Sequence, residues 1–324
     1  MTGPGEPTHM KTNARGMVYA SFAADALALG AHWIYDADLI DRSLGRMSDF
    51  RKPQPPTYHP TKERGDFTHY GDQTLVLLRS LAERGSFNER DFSRAWRELF
   101  TGYTGYVDGA TRQTLQRIEA GTPPGEAGSS SHDLAGAARI APLVYRYRTE
   151  PDRLVDAARR QTALTHNSPL VVDSAEFFAR AACHILEGMP AVEALRRSAA
   201  ESPSGGPIAA WVDSGLRSVA SNTRSAIRGF GQMCEVEAAF PAAIHVIAKY
   251  DQRLEEGLIE NVMAGGDSAG RGLIVGMLLG ASSGMQAIPR RWLEGLTARE
   301  TIESLLIRID QAASTAPDGG GLAA

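Results

Sequence analysis

Cysteine is nearly missing from this 324-residue chain, which has only Cys183 and Cys234, far apart in sequence. Neither a disulfide framework nor a zinc-finger spacing can be drawn from two such residues, and they read as buried free thiols. An excess of one charge is missing too. A formal net charge of −4 and a pI near 6.1 give no electrostatic footprint for nucleic acid or an anionic membrane. No apolar run is long enough to span a bilayer, the longest being LIVGMLLGA from Leu273, and MTGPGEPTHMKTNARG has no signal-like apolar segment. The expectation is a cytoplasmic protein with neither membrane nor nucleic acid as partner. Runs of alternating or β-branched residues bounded by turn signals are also scarce, which argues against a sheet-based fold.

What the chain does contain is hydrophobic residues, 43% of the total, recurring mostly at helical spacing. The fold class is therefore all-α. Helices are expected to begin near Gly16, Thr74, Asn88, Asp108, Asp133, Pro151, Pro169, Pro190, Gly206, Glu235, Arg253, Ser268 and Thr297. Several of these starts carry Asp, Asn, Ser or Pro, whose oxygen or ring suits a helix N-terminus. Two segments, Met17 to Trp33 and Gly270 to Gly280, are apolar nearly all round and belong at the centre of a bundle, with glycines permitting close approach. Asp25 and Asp267 then lie deep in the protein, where a carboxylate needs a cation, several donors or its own proton. The Arg51–Gly71 stretch and GTPPGEAGSSSHD read as long connections of the kind that often carry function. One domain is expected over 14–312, between disordered tails at 1–13 and 313–324.

Two short stretches, HYGDQT from His69 and GGDSAGRG from Gly265, each set an aspartate beside glycine and a small polar residue ahead of an apolar helix. Together with Ala24-Asp25-Ala26-Leu27-Ala28, GYVDGATRQTLQRIEAG, AGAARIAPL, LTHNSPL and IPRRW, in this order, they make the chain resemble the ADP-ribosylglycohydrolase family from about Gly16 to Trp292. The resemblance implies an orthogonal helical bundle with a central cleft. It also implies a site where relatives bind two magnesium ions and an ADP-ribose moiety.

The ligand motifs depart from that pattern. Family members place Thr-Asp-Asp-Thr where this chain has Gly71-Asp72-Gln73-Thr74, and Gly-Gly-Asp-Thr-Asp-Thr where it has Gly265-Gly266-Asp267-Ser268-Ala269-Gly270. Two carboxylates in place of four cannot neutralise two divalent cations, and magnesium is held mainly by carboxylates. No metal ligand is therefore assigned, and no cofactor is expected beyond at most one weakly bound Mg2+. A family acid is replaced by His32, and Arg271 follows the vacated ligand positions, where a guanidinium can stand in for a lost cation.

The candidate catalytic residues are Asp72 and Asp267, as carboxylate and base, with His32 or His69 as acid. Candidates for holding substrate are Asp25, Asp66, Thr68, Gln73, Arg139, His166, Ser268 and Arg271, with Asp25 expected mainly to hold the motif loops. Lys62, Glu63 and Arg64 read as a solvated charge run, and His9, His59 and His245 as tail, loop and helix residues. The resulting expectation is a hydrolase of N-glycosidic ribosyl bonds acting on a small nucleotide-derived or nucleoside-like molecule, of open oligomeric state. Two alternatives stand beside it: a non-catalytic binding or structural member of the family, and a magnesium-dependent ADP-ribosyl-protein hydrolase using Gln73 and Ser268 as neutral ligands.

Overall fold

The computed structural model describes residues 8–203 and 205–315. Among these the regular structure is α-helix with three short 3-10 turns and no strand, beyond isolated bridges at Ser129–His166 and Asp133–Glu235. The all-α expectation holds. Most helices start within a few residues of the expected places: Glu89, Gly109, Pro151, Pro169, Ala191, Ile208, Val236, Leu254, Ser268 and Arg299. Short helices at Ala37–Leu44 and Thr223–Phe230 were not anticipated.

Two boundaries need correction. The opening helix runs Thr8–Ala28, so residues expected as tail form its first turns, where Asn13 Nδ2 donates to Ala281 O at 3.1 Å. The last helix, Arg299–Thr315, likewise passes the expected limit at 312. The remaining tail residues, 1–7 and 316–324, lie outside the described residues. The helix expected from near Thr74 starts earlier, so HYGDQT forms the first turns of the helix His69–Arg84, capped by the Thr68 hydroxyl, which accepts from Tyr70 N.

The core is organised around the opening helix and the helix Ser268–Ser283, which pack antiparallel. Glycines recur every fourth residue along the contact face of the second. A Cβ at Gly280 would sit 2.7 Å from Ala20 Cβ and from Gly16 O, one at Gly276 would overlap Ala20 O, and one at Gly272 would approach Ala24. The two backbones therefore touch with nothing between them, and Ser21 Oγ donates to Leu273 O at 2.9 Å across the seam. Antiparallel packing brings the C-terminal end of one helix to the N-terminal end of the other. There the chain leaving the opening helix is stitched to the GGD turn by Trp33 N to Gly266 O (3.0 Å) and Gly266 N to Ile34 O (2.8 Å). Gly265 and Gly266 have φ of +72° and +69°, a conformation that glycine adopts without steric cost.

The long loop that precedes the His69 helix is pinned to the C-terminal region. Gly65 O accepts from Thr297 N at 3.1 Å and Thr297 Oγ1 at 3.0 Å, and Arg64 Nε donates to Phe50 O at 3.1 Å. This fixes the loop over the same end of the bundle. No described helix is long and apolar enough to cross a membrane.

Overpacking at a rigid backbone seam is costly, so Gly276→Ala is expected to lower stability by about 2–3 kcal/mol. Gly229, in the helix Thr223–Phe230, has nothing within 4 Å of an added Cβ. Its replacement by alanine is expected to be neutral or stabilising by up to about 1 kcal/mol. Urea unfolding of the two variants checks both; equal effects would refute the seam.

Candidate active site

The meeting point of the two central helices gathers polar groups from several segments. His32 follows the 3-10 turn at Leu29–Ala31 in extended conformation, His59 comes from the proline-rich loop, and His69 is the first residue of its helix. All three are buried, and one nitrogen from each lies within 4.8 Å of the others. None of the six ring nitrogens has a hydrogen-bond partner among the described residues. Two stand near carboxylates: His32 Nδ1 is 3.6 Å from Asp267 Oδ1, and His69 Nε2 is 3.4 Å from Asp108 Oδ2.

Burial drives the imidazoles to their neutral form. It lowers His59 and His69 to about 3, with help from neighbouring cationic or imidazole groups, and holds His32 well below its usual value. A neutral imidazole is a poor general acid, which weighs against the expected acid role of His32 or His69.

Carboxylates supply what the histidines lack. Asp267 caps its helix, its Oδ1 accepting from Gly270 N at 3.3 Å, while Oδ2 is buried without a partner among the described residues. Burial raises it to about 6, against the opposing pull of Arg271 and of the Gly270 N–H. Asp133, from the SSSHD loop, is pushed well above the carboxylate range by desolvation and then by the charge of Asp267. Tyr70 OH reaches Asp133 Oδ2 at 3.5 Å. Two neighbouring carboxyl groups are thus both raised by burial, and the charge of Asp267 favours a proton on Asp133, an arrangement suited to an acid and a base.

An aromatic cover closes the outer side. Trp33, Tyr58 and Tyr106 meet edge to face, with centroids 5.0, 5.0 and 5.5 Å apart, and Trp33 stacks on His32 at 4.3 Å. Trp33 has φ +65°, rare for a bulky residue and typical of strain held at functional sites. Two surface depressions, about 600 Å³ beside Arg46 and Glu255 and about 610 Å³ beside Tyr19 and Glu303, share no residue with this centre.

The other candidates fall into two groups. Around the centre, Asp25 accepts from Thr68 N (2.8 Å) and Thr68 Oγ1 (2.6 Å), and Gly71 lacks the Cβ that would overlap the Asp25 carboxylate. Asp25 and Thr68 therefore position the His69 helix. Arg139 donates to Gln73 Oε1 at 2.5 Å and to Thr165 Oγ1, and Gln73 Oε1 also accepts from Trp96 Nε1 at 2.7 Å. His166 Nδ1 lies 2.9 Å from Thr165 Oγ1, and Ser268 Oγ is buried without a partner among the described residues. Arg271 does not bond Asp267: its Nε binds Asn261 Oδ1 at 2.6 Å and Nη2 binds the Asn261 and Gly265 carbonyls at 3.0 Å. It anchors the glycine turn and acts on Asp267 through its charge.

The second group lines a cavity of its own. Asp72 Oδ2 accepts from Lys62 Nζ and Tyr103 OH, each at 2.5 Å, and borders a cavity of about 320 Å³ with Asp66, Phe67 and Thr297. Asp66 accepts from Thr297 Oγ1 at 2.9 Å and Glu63 N at 2.8 Å. Lys62 is thus an interior partner and not part of a solvated charge run. His59, Asp133, Asp108 and the aromatic cover are the residues that sequence reasoning missed. A usable signal was present, since His32, His59 and His69 each adjoin an aromatic residue in HW, YH and HY.

The paired magnesium ions that the resemblance implies do not fit. Mg2+ needs near-octahedral oxygen coordination. Lys62 and Tyr103 close Asp72 Oδ2, Trp96 and Arg139 occupy Gln73 Oε1, and Gly71, Ala269 and Gly270 carry no side-chain oxygen. The open donors are mainly nitrogens.

The fold is all-α, a helical bundle with its polar centre at the junction of the two central helices. The chain belongs to the ADP-ribosylglycohydrolase family, whose family model matches residues 6–318. It is similar to crystallin J1A of Tripedalia cystophora, 25% identical over 306 residues covering 87% of this chain and 91% of that one. Crystallin J1B of the same animal is 26% identical over 324 residues, 93% and 98% of the two chains. A solved ADP-ribosylglycohydrolase-related protein complex matches with TM-score 0.72 and 26% identity, over 95% of this chain and 100% of that one.

Burial lifts Asp25 from 3.8 to about 7, with the Thr68 hydrogen bonds opposing. Between those values the folded chain keeps a proton that the unfolded chain has released. The stabilisation is complete below pH 3.8 and disappears as pH rises through 7. Compared with Asp25→Asn, the parent should lose up to about 1.4 kcal/mol per pH unit within that window and level off above it. Denaturation of both proteins from pH 4 to 8 reads this directly; parallel curves would refute it.

Proposed function

We propose that this chain hydrolyses an N-glycosidic ribosyl bond in a small nucleotide-derived or nucleoside-like substrate. What supports this reading is the pair Asp133 and Asp267, both raised by burial and Asp133 further by the charge of Asp267, with Asp267 3.6 Å from His32, on which Trp33 stacks. The planar leaving group stacks against Trp33, Tyr58 and Tyr106, which offer flat apolar faces. Cleavage of the C1′–N bond passes through a transition state with oxocarbenium character, and Asp267 stabilises the developing positive charge. Asp133 gives its proton to the departing nitrogen. Asp267 then takes a proton from the attacking water, whose oxygen bonds to C1′. One water is consumed and no charge is left over.

A second reading, a binding or structural protein, is favoured by the crystallin relatives and by the ion pair that closes Asp72. Incubation with ribosylated amides, NAD-like nucleotides and nucleosides, followed by detection of free sugar, separates the two. Asp133→Asn and Asp267→Asn should each reduce turnover by about 100-fold or more, while Asp72→Asn leaves it within about 10-fold, as a group removed from the reacting atoms should. The rate should rise as pH passes through about 6, where Asp267 ionises, and fall when Asp133 loses its proton. Saturable binding of ADP-ribose with no sugar released from any probe would favour the binding protein.

A further inference from the structure

We propose that His32, His59 and His69 hold one divalent transition-metal ion of the Zn2+ class, at a site that replaces the oxygen-ligated ions of the family. Geometry comes first. For three nitrogens no more than 4.8 Å apart, a common centre exists within about 2.8 Å of each, and a Zn–N bond needs about 2.1 Å. Each ring has to move by less than about 1 Å to close the difference. The ring planes are inclined by 29°, 25° and 46°, so closure also requires rotation about χ2, a soft torsion in histidine.

Energetics comes second. A buried polar group without a partner costs about 1–3 kcal/mol, and here six ring nitrogens share that condition in one place. The imidazoles do not satisfy one another, because His32 and His59, and His59 and His69, present faces at 5.4 and 5.7 Å. One atom placed between them satisfies three nitrogens at once.

Donor chemistry selects the ion. Neutral imidazole suits Zn2+, Ni2+, Cu2+ and Fe2+, whereas Mg2+ takes oxygen. His32 and His69 each have a carboxylate, Asp267 and Asp108, beside one ring nitrogen. That is the carboxylate–histidine–metal arrangement which fixes the tautomer and turns the other nitrogen to the cation. Three protein ligands leave a coordination position open, the pattern of a reactive metal site and not of a purely structural one. Trp33, Tyr58 and Tyr106 supply the apolar shell that controls access of water.

This inference does not require the hydrolase reading, and its test is a binding measurement on the full chain. The protein is stripped with a chelator, dialysed and titrated separately with Zn2+, Co2+ and Mg2+. The expected result is one Zn2+ per chain retained through gel filtration, an intense visible Co2+ spectrum of low coordination number, and no competition from Mg2+. His59→Ala should weaken Zn2+ by at least about 100-fold and Asp267→Asn by about 10- to 100-fold. Should His59→Ala fail to fold, His59→Gln keeps the bulk and polarity of the position without an imidazole, and the same loss is expected. Absence of stoichiometric Zn2+, binding undiminished by either His59 variant, or displacement of Zn2+ by Mg2+ overturns the site. Asp133→Asn separates the two ideas: turnover lost with Zn2+ retained bears on the hydrolase reading, and sugar release by protein that binds no Zn2+ sinks the metal site alone.

Discussion

The backbone contact between the opening helix and the helix Ser268–Ser283 governs where everything else can be. Because Gly276 and Gly280 have no side chain, the register of the two helices is set by main-chain atoms against Ala20 and Gly16, and no rotamer can absorb a shift. A slip of one turn, about 5.4 Å, would carry His32 away from Asp267 and break the exchange of hydrogen bonds between Trp33, Ile34 and Gly266. The polar centre is therefore built at a helix junction and inherits its precision from apolar packing. The same arrangement aims the N-terminal end of a helix at Asp267, where its dipole favours negative charge.

Charge at this centre is kept in balance without direct salt bridges. Arg271 and Arg139 are fully buried, yet their hydrogen bonds go to Asn261, Gly265, Gln73 and Thr165. Desolvation lowers each guanidinium to about 10, which leaves it charged at neutral pH. Held this way, two cations act on the carboxylates and imidazoles through space while leaving carboxylate oxygens open. A bidentate pair would have closed Asp267, as Lys62 and Tyr103 close Asp72 Oδ2. The contrast between these two aspartates, equivalent in their sequence motifs, arises from what the surrounding loops deliver to them.

That contrast also marks how far the sequence could be read. The helix starts, the two apolar central helices, the capping site at Asp267 and the anchoring role of Asp25 depend on local pattern, and these were legible. Local pattern failed where loop closure decides. His59 stands ten residues ahead of His69 in a segment without periodicity, and only the pinning of Gly65 to Thr297 folds that segment back. Lys62 reads as one charge among several, and becomes the partner of Asp72 through the same closure. Asp133 lies beside a more conspicuous histidine, His132, which the structure leaves exposed against Glu237. The pairing of each clustered histidine with an aromatic neighbour was the one signal strong enough to have shown the centre, in a chain that is only 7% aromatic.

Similarity over nearly the full length to crystallins, at 25–26% identity, sharpens what the centre implies. A protein kept for stability and solubility alone is under pressure to fill or satisfy its interior, because each buried polar atom without a partner counts against the folded state. Hydrophobic replacement of such groups is readily tolerated in helical cores. This chain does the opposite at one location. It keeps three imidazoles under packed aromatic rings, two carboxyl groups raised by burial, a buried Ser268 hydroxyl and, within the aromatic cover, a tryptophan in a strained backbone conformation. Elsewhere buried polar groups are scattered singly, some with partners, as His245 has in Ser218 and Thr223, and some without one among the described residues, as with Ser93, Gln161 and Ser198. The densest group of such atoms, the six histidine nitrogens, lies where the two central helices meet, which is where a bound molecule or ion would offset the cost.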